Sequence, residues 1–261
     1  MSLGFKVSNS VEPAGTERWF NANDFLAGLR RVNIFCGGYG SGKSEVALNF
    51  AISLAQKGKR VSVADLDIVN PYFRSREART ILERFGINVM VPPEEVMATD
   101  LPMVQPEIKG EMLRDDSFVV IDLGGDPVGA RVMASIASGI DTFDFNVFFV
   151  LNSRRPFTGT VKEVSELIKG IENSSGLPIT HIVVNSHLIE ETSGAIIKEG
   201  IELAERVGAE TNKPIGFVAL EQRLLNDFDV NACIYPVLML ERLLLKPWEK
   251  TERLGPERFK I

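Results

Sequence analysis

Cysteine is nearly absent from this chain: there are two, Cys36 and Cys233, far apart in sequence. No C-x-x-C and no Cys/His metal spacing exists, so no cysteine-held zinc or iron–sulfur centre is expected within one chain. Histidine is equally scarce, with only His181 and His187. A basic excess is missing as well. The net charge of −6 argues against non-specific nucleic-acid binding, and no nucleic-acid partner is expected. No apolar run is long enough to span a bilayer, so no membrane role is expected. Two free-looking thiols and no signal-type leader point to the cytoplasm. There is no internal repeat, no low-complexity segment and no long linker. With 44% hydrophobic and 25% charged residues, the composition suits one sizeable core. The expected division is an N-terminal extension over 1–30 and one domain over 31–261.

What is present is a glycine-rich run. Gly37-Gly38-Tyr39-Gly40-Ser41-Gly42-Lys43-Ser44 is a complete G-x-x-x-x-G-K-[ST] sequence. It follows the apolar Val32–Cys36 and opens a segment with helical periodicity. Backbone N–H groups in such a loop converge on phosphate oxygens, and glycine permits the tight turns. The helix behind adds unpaired N–H donors and a positive dipole end. Lys43 is expected to reach the β- and γ-phosphates and to act catalytically, and the Ser44 hydroxyl to ligate Mg²⁺. The candidate nucleotide contacts are Gly37, Gly38, Tyr39, Gly40, Ser41, Gly42, Lys43, Ser44 and Glu45. Cys36, at the end of the first strand pattern, reads as a buried small side chain rather than a nucleophile.

Apolar strand patterns alternate with helical ones. Strands are predicted at 31–36, 60–64, 117–121, 146–151, 179–185 and 215–220. Helices are predicted at 42–57, 73–85, 107–113, 128–138, 158–171, 193–207 and near 234–245, with a short one near 23–29. The alternation predicts a single doubly wound, mostly parallel α/β sheet with helices on both faces, the P-loop NTPase fold. All strand C-terminal ends then share one rim, where ligands bind.

Three aspartates follow strands on that rim. Asp65, Asp67 and Asp122 stand where carboxylates face a nucleotide's Mg²⁺, with Asp122 holding the metal shell. Gly124 and Gly125 would let the backbone approach the γ-phosphate. The competing role for Asp122 is capping of the helix at 128–138. For Asp65 and Asp67 it is an Asx-turn at a strand end.

Residues 37–85 resemble MinD/ParA-type proteins of the CobQ/CobB/MinD/ParA superfamily, through Leu54-Ala55-Gln56-Lys57-Gly58-Lys59-Arg60-Val61 and Asp65-Leu66-Asp67-Ile68. Asp122-Leu123-Gly124-Gly125 is similar to the superfamily's Walker B stretch, and Val184-Asn185 to the strand end beside the adenine ring. The resemblance implies that Asp67 orients or activates the attacking water, that Asp65 and Asp122 lie near Mg²⁺, and that Asn185 contacts the nucleotide. The sequence departs from the superfamily's dimerising members at Gly38, where they carry a second lysine. Arg74 and Arg76, or Arg154 and Arg155, are candidates for the missing charge.

Guanine readers use Asn-Lys-x-Asp after a strand. Here Asn185-Ser186-His187-Leu188 lacks the aspartate, so ATP is expected rather than GTP, with Mg²⁺. His187 at this strand end also fits a plain surface or capping residue. Three functions stay open. One is a slow ATPase that acts as a switch for a partner protein, with residues 86–116 as a partner surface and a nucleotide-dependent homodimer allowed. The second is an ATP-dependent carboxylate-activating enzyme, as dethiobiotin synthetase of the same superfamily is, with Arg154 and Arg155 holding the acid. The third is a nucleotide-binding scaffold without turnover.

Overall fold

A computed structural model describes residues 18–66, 76–90, 106–124, 134 and 145–243. Among the described residues nine strands form one sheet: β1 (Trp19–Phe20), β2 (Val32–Cys36), β3 (Val61–Leu66), β4 (Asn88–Met90), β5 (Phe118–Leu123), β6 (Phe145–Leu151), β7 (His181–Val184), β8 (Ile215–Glu221) and β9 (Val237–Leu240). Their spatial order is β1-β9-β8-β7-β6-β2-β5-β3-β4. Every pairing is parallel except β1 with β9 at one edge. The α-helices set out among the described residues are α1 (Asn23–Ala27), α2 (Lys43–Gln56), α3 (Arg76–Arg84), α4 (Pro106–Met112), α5 (Val161–Ser175) and α6 (Gly194–Thr211).

The central strands are apolar almost throughout because they are covered on both faces. Side-chain alternation along β2 sends Ile34 and Cys36 to one face and Phe35 to the other. The first face packs against Ile108 and Met112 of α4, Val164 and Ile168 of α5, and Ile197 and Leu203 of α6. The second packs against α2 and α3 through Val46, Phe50, Leu54 and Leu82. Phe35, Phe50, Phe148 and Phe217 form an aromatic cluster there, with Trp19 edge-on to Phe217 at 5.3 Å. The expected doubly wound α/β architecture is the one observed.

The helix expected near 234–245 is a correction. Val237–Leu240 is a buried strand wedged between β8 and β1. Pro236 precedes it, and four apolar residues in a row carry no helical period of their own. The leucines beyond suggested one.

Both ends of the described chain are tied to α2. Asn49 is fully buried; its Oδ1 accepts from Arg18 Nη1 and from Glu241 N, each at 2.9 Å. Its Nδ2 donates to the carbonyls of Glu45 and Glu241, each at 2.9 Å. Arg18 completes the network with an ion pair to Glu241 at 2.9 Å. The polar groups buried beside the helix are thereby satisfied, as burial requires.

Candidate nucleotide site

The loop between β2 and α2 lies at the point where the strand order reverses. β2 is flanked by β5 on one side and β6 on the other; the connection from β2 runs to β3 on the β5 side, while that from β6 runs to β7 on the opposite side. A crevice opens at such a switch point. Gly37, Gly40 and Gly42 have φ values of 152°, 72° and 83°. A Cβ on Gly37 would meet the Val150 carbonyl at 2.5 Å, and one on Gly42 would overlap Asn185 Nδ2. Gly42 is the N-cap of α2 and among the described residues no side chain caps that end, so its first-turn N–H groups face the rim. Ser41 Oγ is buried and has no hydrogen-bond partner among the described residues. A tight glycine loop, an uncapped helix end and an unspent buried hydroxyl fit a phosphate group. Lys43 and Ser44 are both buried at the start of α2.

Asp65 and Asp122 sit opposite one another in register on β3 and β5, and Phe35 of β2 pairs with Asp122 on the other side. Both carboxylates are buried. Two carboxylates at paired positions favour a cation or proton nearby, and oxygen donors of this kind suit Mg²⁺. The structure thus brings the Lys43/Ser44 end of α2 and these two aspartates to one rim. Asp67, Gly125, Arg74 and the helix expected at 128–138 lie outside the described residues, as does the side chain of Arg76. Tyr39 projects from the loop and is 81% exposed.

Glu45 turns elsewhere: its Oε1 accepts from Leu243 N at 2.6 Å, holding the segment after β9. Asn185 braces the loop. Its Nδ2 donates to the Ser41 carbonyl at 2.7 Å, so in this structure the amide faces the loop backbone. The Cys36 thiol is pushed up to about 12, chiefly by burial, which keeps it a neutral core group.

Sequence reasoning missed Asn152. This fully buried residue follows β6 and ties its turn to the end of β7. Its Oδ1 accepts from Arg154 N at 3.0 Å and His187 N at 3.2 Å, and its Nδ2 donates to the His187 carbonyl at 3.2 Å. Ser153 N and Oγ both reach Ser186 Oγ, at 3.1 and 2.9 Å. The signal was available: Asn152-Ser153 and Asn185-Ser186 are matching polar pairs after neighbouring strands. The turn they hold separates the two arginines. Arg154 pairs with Glu199 of α6. Arg155 lies on the glycine loop, its Nε donating to the Gly40 carbonyl at 2.9 Å.

His187 lies beside Gly42, and its pKa is lowered to about 4 by burial first, then by the positive charges of Arg155 and Arg242. It is therefore neutral at pH 7. Because the native value lies below the unfolded one, the unfolded chain takes up the proton first as pH falls. Stability is full above about pH 6.5 and declines toward pH 4. Roughly 2 kcal/mol should be lost between pH 7 and pH 5 through this group. His187→Gln should flatten that part of the profile, as read by urea midpoints at the two pH values.

The fold and loop define a P-loop nucleotide-binding protein. Residues 34–227 match the family "CobQ/CobB/MinD/ParA nucleotide binding domain", and the chain belongs to it. No curated protein matches. The fold is similar to chloroplast FtsY from Physcomitrella patens, with a TM-score of 0.51 and 16% identity over 72% of this chain and 58% of that one. It is also similar to the cell division protein FtsY from Thermotoga maritima, with a TM-score of 0.50 and 20% identity over 83% of this chain and 69% of that one. The likeness at these identities is one of fold. This chain spans less than two thirds of the plant protein's length. No helix among the described residues is long and apolar enough to cross a membrane.

Proposed function

We propose that this protein binds Mg·ATP, hydrolyses it slowly, and passes the resulting change to a partner protein. The observation that carries the reading is the meeting of three features on one rim: the uncapped glycine loop, the Lys43/Ser44 helix start, and the register-paired Asp65 and Asp122. In this reading Lys43 neutralises the β- and γ-phosphates. Ser44, Asp65 and Asp122 hold the Mg²⁺ shell, directly or through water. Mg²⁺ supplies charge neutralisation on the phosphate oxygens. Asp67 orients the attacking water, as the family resemblance implies. Gly125 follows Asp122 closely enough to respond when the γ-phosphate leaves. ATP is preferred over GTP because no carboxylate follows Asn185 at the position that reads guanine. A second copy of the chain is an allowed partner.

Equilibrium titration with ATP and GTP, with and without Mg²⁺, tests the assignment. ATP should bind at least about tenfold tighter than GTP, and Mg²⁺ should tighten it further. Tighter GTP binding would overturn the base assignment. Binding indifferent to Mg²⁺ would overturn the role of the two aspartates.

A further inference from the structure

We infer that Arg155, supplied from the same chain, is the cation that contacts the terminal phosphate of the bound nucleotide. This rests on the proposed ATP-binding reading and assigns it a residue. Arg155 is half-buried on the loop that would cradle the phosphates, anchored among the described residues by a bond from Nε to the Gly40 carbonyl. Gly40 makes room for it: a Cβ there would sit 3.2 Å from Nε and 3.4 Å from Cδ. A guanidinium has five N–H donors in a rigid fork, and this one spends one of them on the loop. Among the described residues no carboxylate pairs with Arg155, whereas its neighbour Arg154 is committed to Glu199.

The turn that carries Arg155 is rigidly built. Arg155 N donates to the Asn152 carbonyl at 3.2 Å, and Thr158 Oγ1 donates to the carbonyls of Asn152 and Arg155 at 2.6 and 3.0 Å. A fixed cation with unspent donors suits phosphate oxygens, which a planar fork can bind in pairs.

During hydrolysis the water oxygen bonds to the γ-phosphorus. The bond to the β–γ bridging oxygen breaks, its electron pair leaves with ADP, and the water's proton passes to the released phosphate or solvent. Negative charge gathers on the γ- and bridging oxygens as this happens. Arg155 offsets it without help from a second chain.

The test compares ATP and ADP affinities of wild type, Arg155→Ala, Arg155→Lys and Arg154→Ala. Arg155→Ala should weaken ATP at least about tenfold while changing ADP little, because only ATP carries the terminal group. Arg155→Lys, which keeps the charge but loses the fork, should recover part of the difference. Arg154→Ala should leave the ATP-to-ADP ratio unchanged. Equal weakening of ATP and ADP by Arg155→Ala would overturn the inference and reduce Arg155 to a loop brace. Mixing Arg155→Ala with Lys43→Ala chains separates the two directions of supply. Recovered turnover would mean the arginine acts across a dimer, against the inference; no recovery supports it. Wild type that binds ATP without turnover would sink the switch reading but leave the affinity comparison decisive.

Discussion

Lys43→Ala is expected to abolish ATP binding in any practical range, weakening it by roughly 100- to 1,000-fold. Lys43 is buried at the first position of α2, directly behind the glycine loop. Removing it strips the β- and γ-phosphates of a charge-assisted contact in a site shielded from water, where such contacts count most. The fold should survive, because alanine is a better helix former than lysine. Calorimetric titration alongside thermal melting reads both quantities. Loss of binding with an unchanged melt is the predicted pair. Undiminished binding would mean that the nucleotide does not sit on this loop.

Gly42→Ala should damage stability and binding together. The position has φ 83°, a left-handed conformation that costs an alanine about 1–2 kcal/mol. The added methyl also collides with Asn185 Nδ2, which must swing away and abandon the Ser41 carbonyl. That carbonyl is then left without its donor, at a further cost of about 1–3 kcal/mol. The expected total is about 2–5 kcal/mol of destabilisation, with nucleotide affinity down at least about 100-fold, since the loop can no longer close. Denaturant melts of Gly42→Ala, Asn185→Ala and the double variant separate the two terms. The double variant should lose less than the sum of the singles, because Asn185→Ala already removes the clash. Strict additivity would show that Asn185 does not brace the loop.

Much of this is legible in the amino-acid sequence. The glycine loop announced itself because close backbone approach leaves few residue choices, and the buried parallel strands announced themselves as unbroken apolar runs. Thr160 and Glu163 form the capping box that starts α5, and Gly176 ends it in a left-handed conformation. The helix therefore runs to Ser175, four residues past the predicted end. Short elements were the ones lost. β1 has two residues and β4 has three, too few to carry a period, and both exist because a longer strand offers an edge to pair with. β9 looks helical in sequence because its identity as a strand depends on pairing with β8 and with β1, the latter more than 200 residues away.

At the site, residue type predicted place better than it predicted direction. Asp65 and Asp122 do end neighbouring strands. Glu45 and Asn185, however, use their side chains on Leu243 and Ser41, contacts that no local pattern encodes. The separation of Arg154 from Arg155 likewise depends on the turn that Asn152 fixes. Adjacent residues of one type cannot be told apart until that turn is known.

The central claim is that this loop serves an ATP-hydrolysing switch, and steady-state ATP turnover by wild type and Asp67→Ala tests it most directly. Wild type with Mg²⁺ should turn over slowly, on the order of 10⁻³ to 10⁻² per second, as P-loop switches do without a stimulating partner. Asp67→Ala should fall at least about 100-fold below that while binding ATP as tightly. Equal turnover in the two proteins, or none in wild type under saturating Mg·ATP, would contradict it.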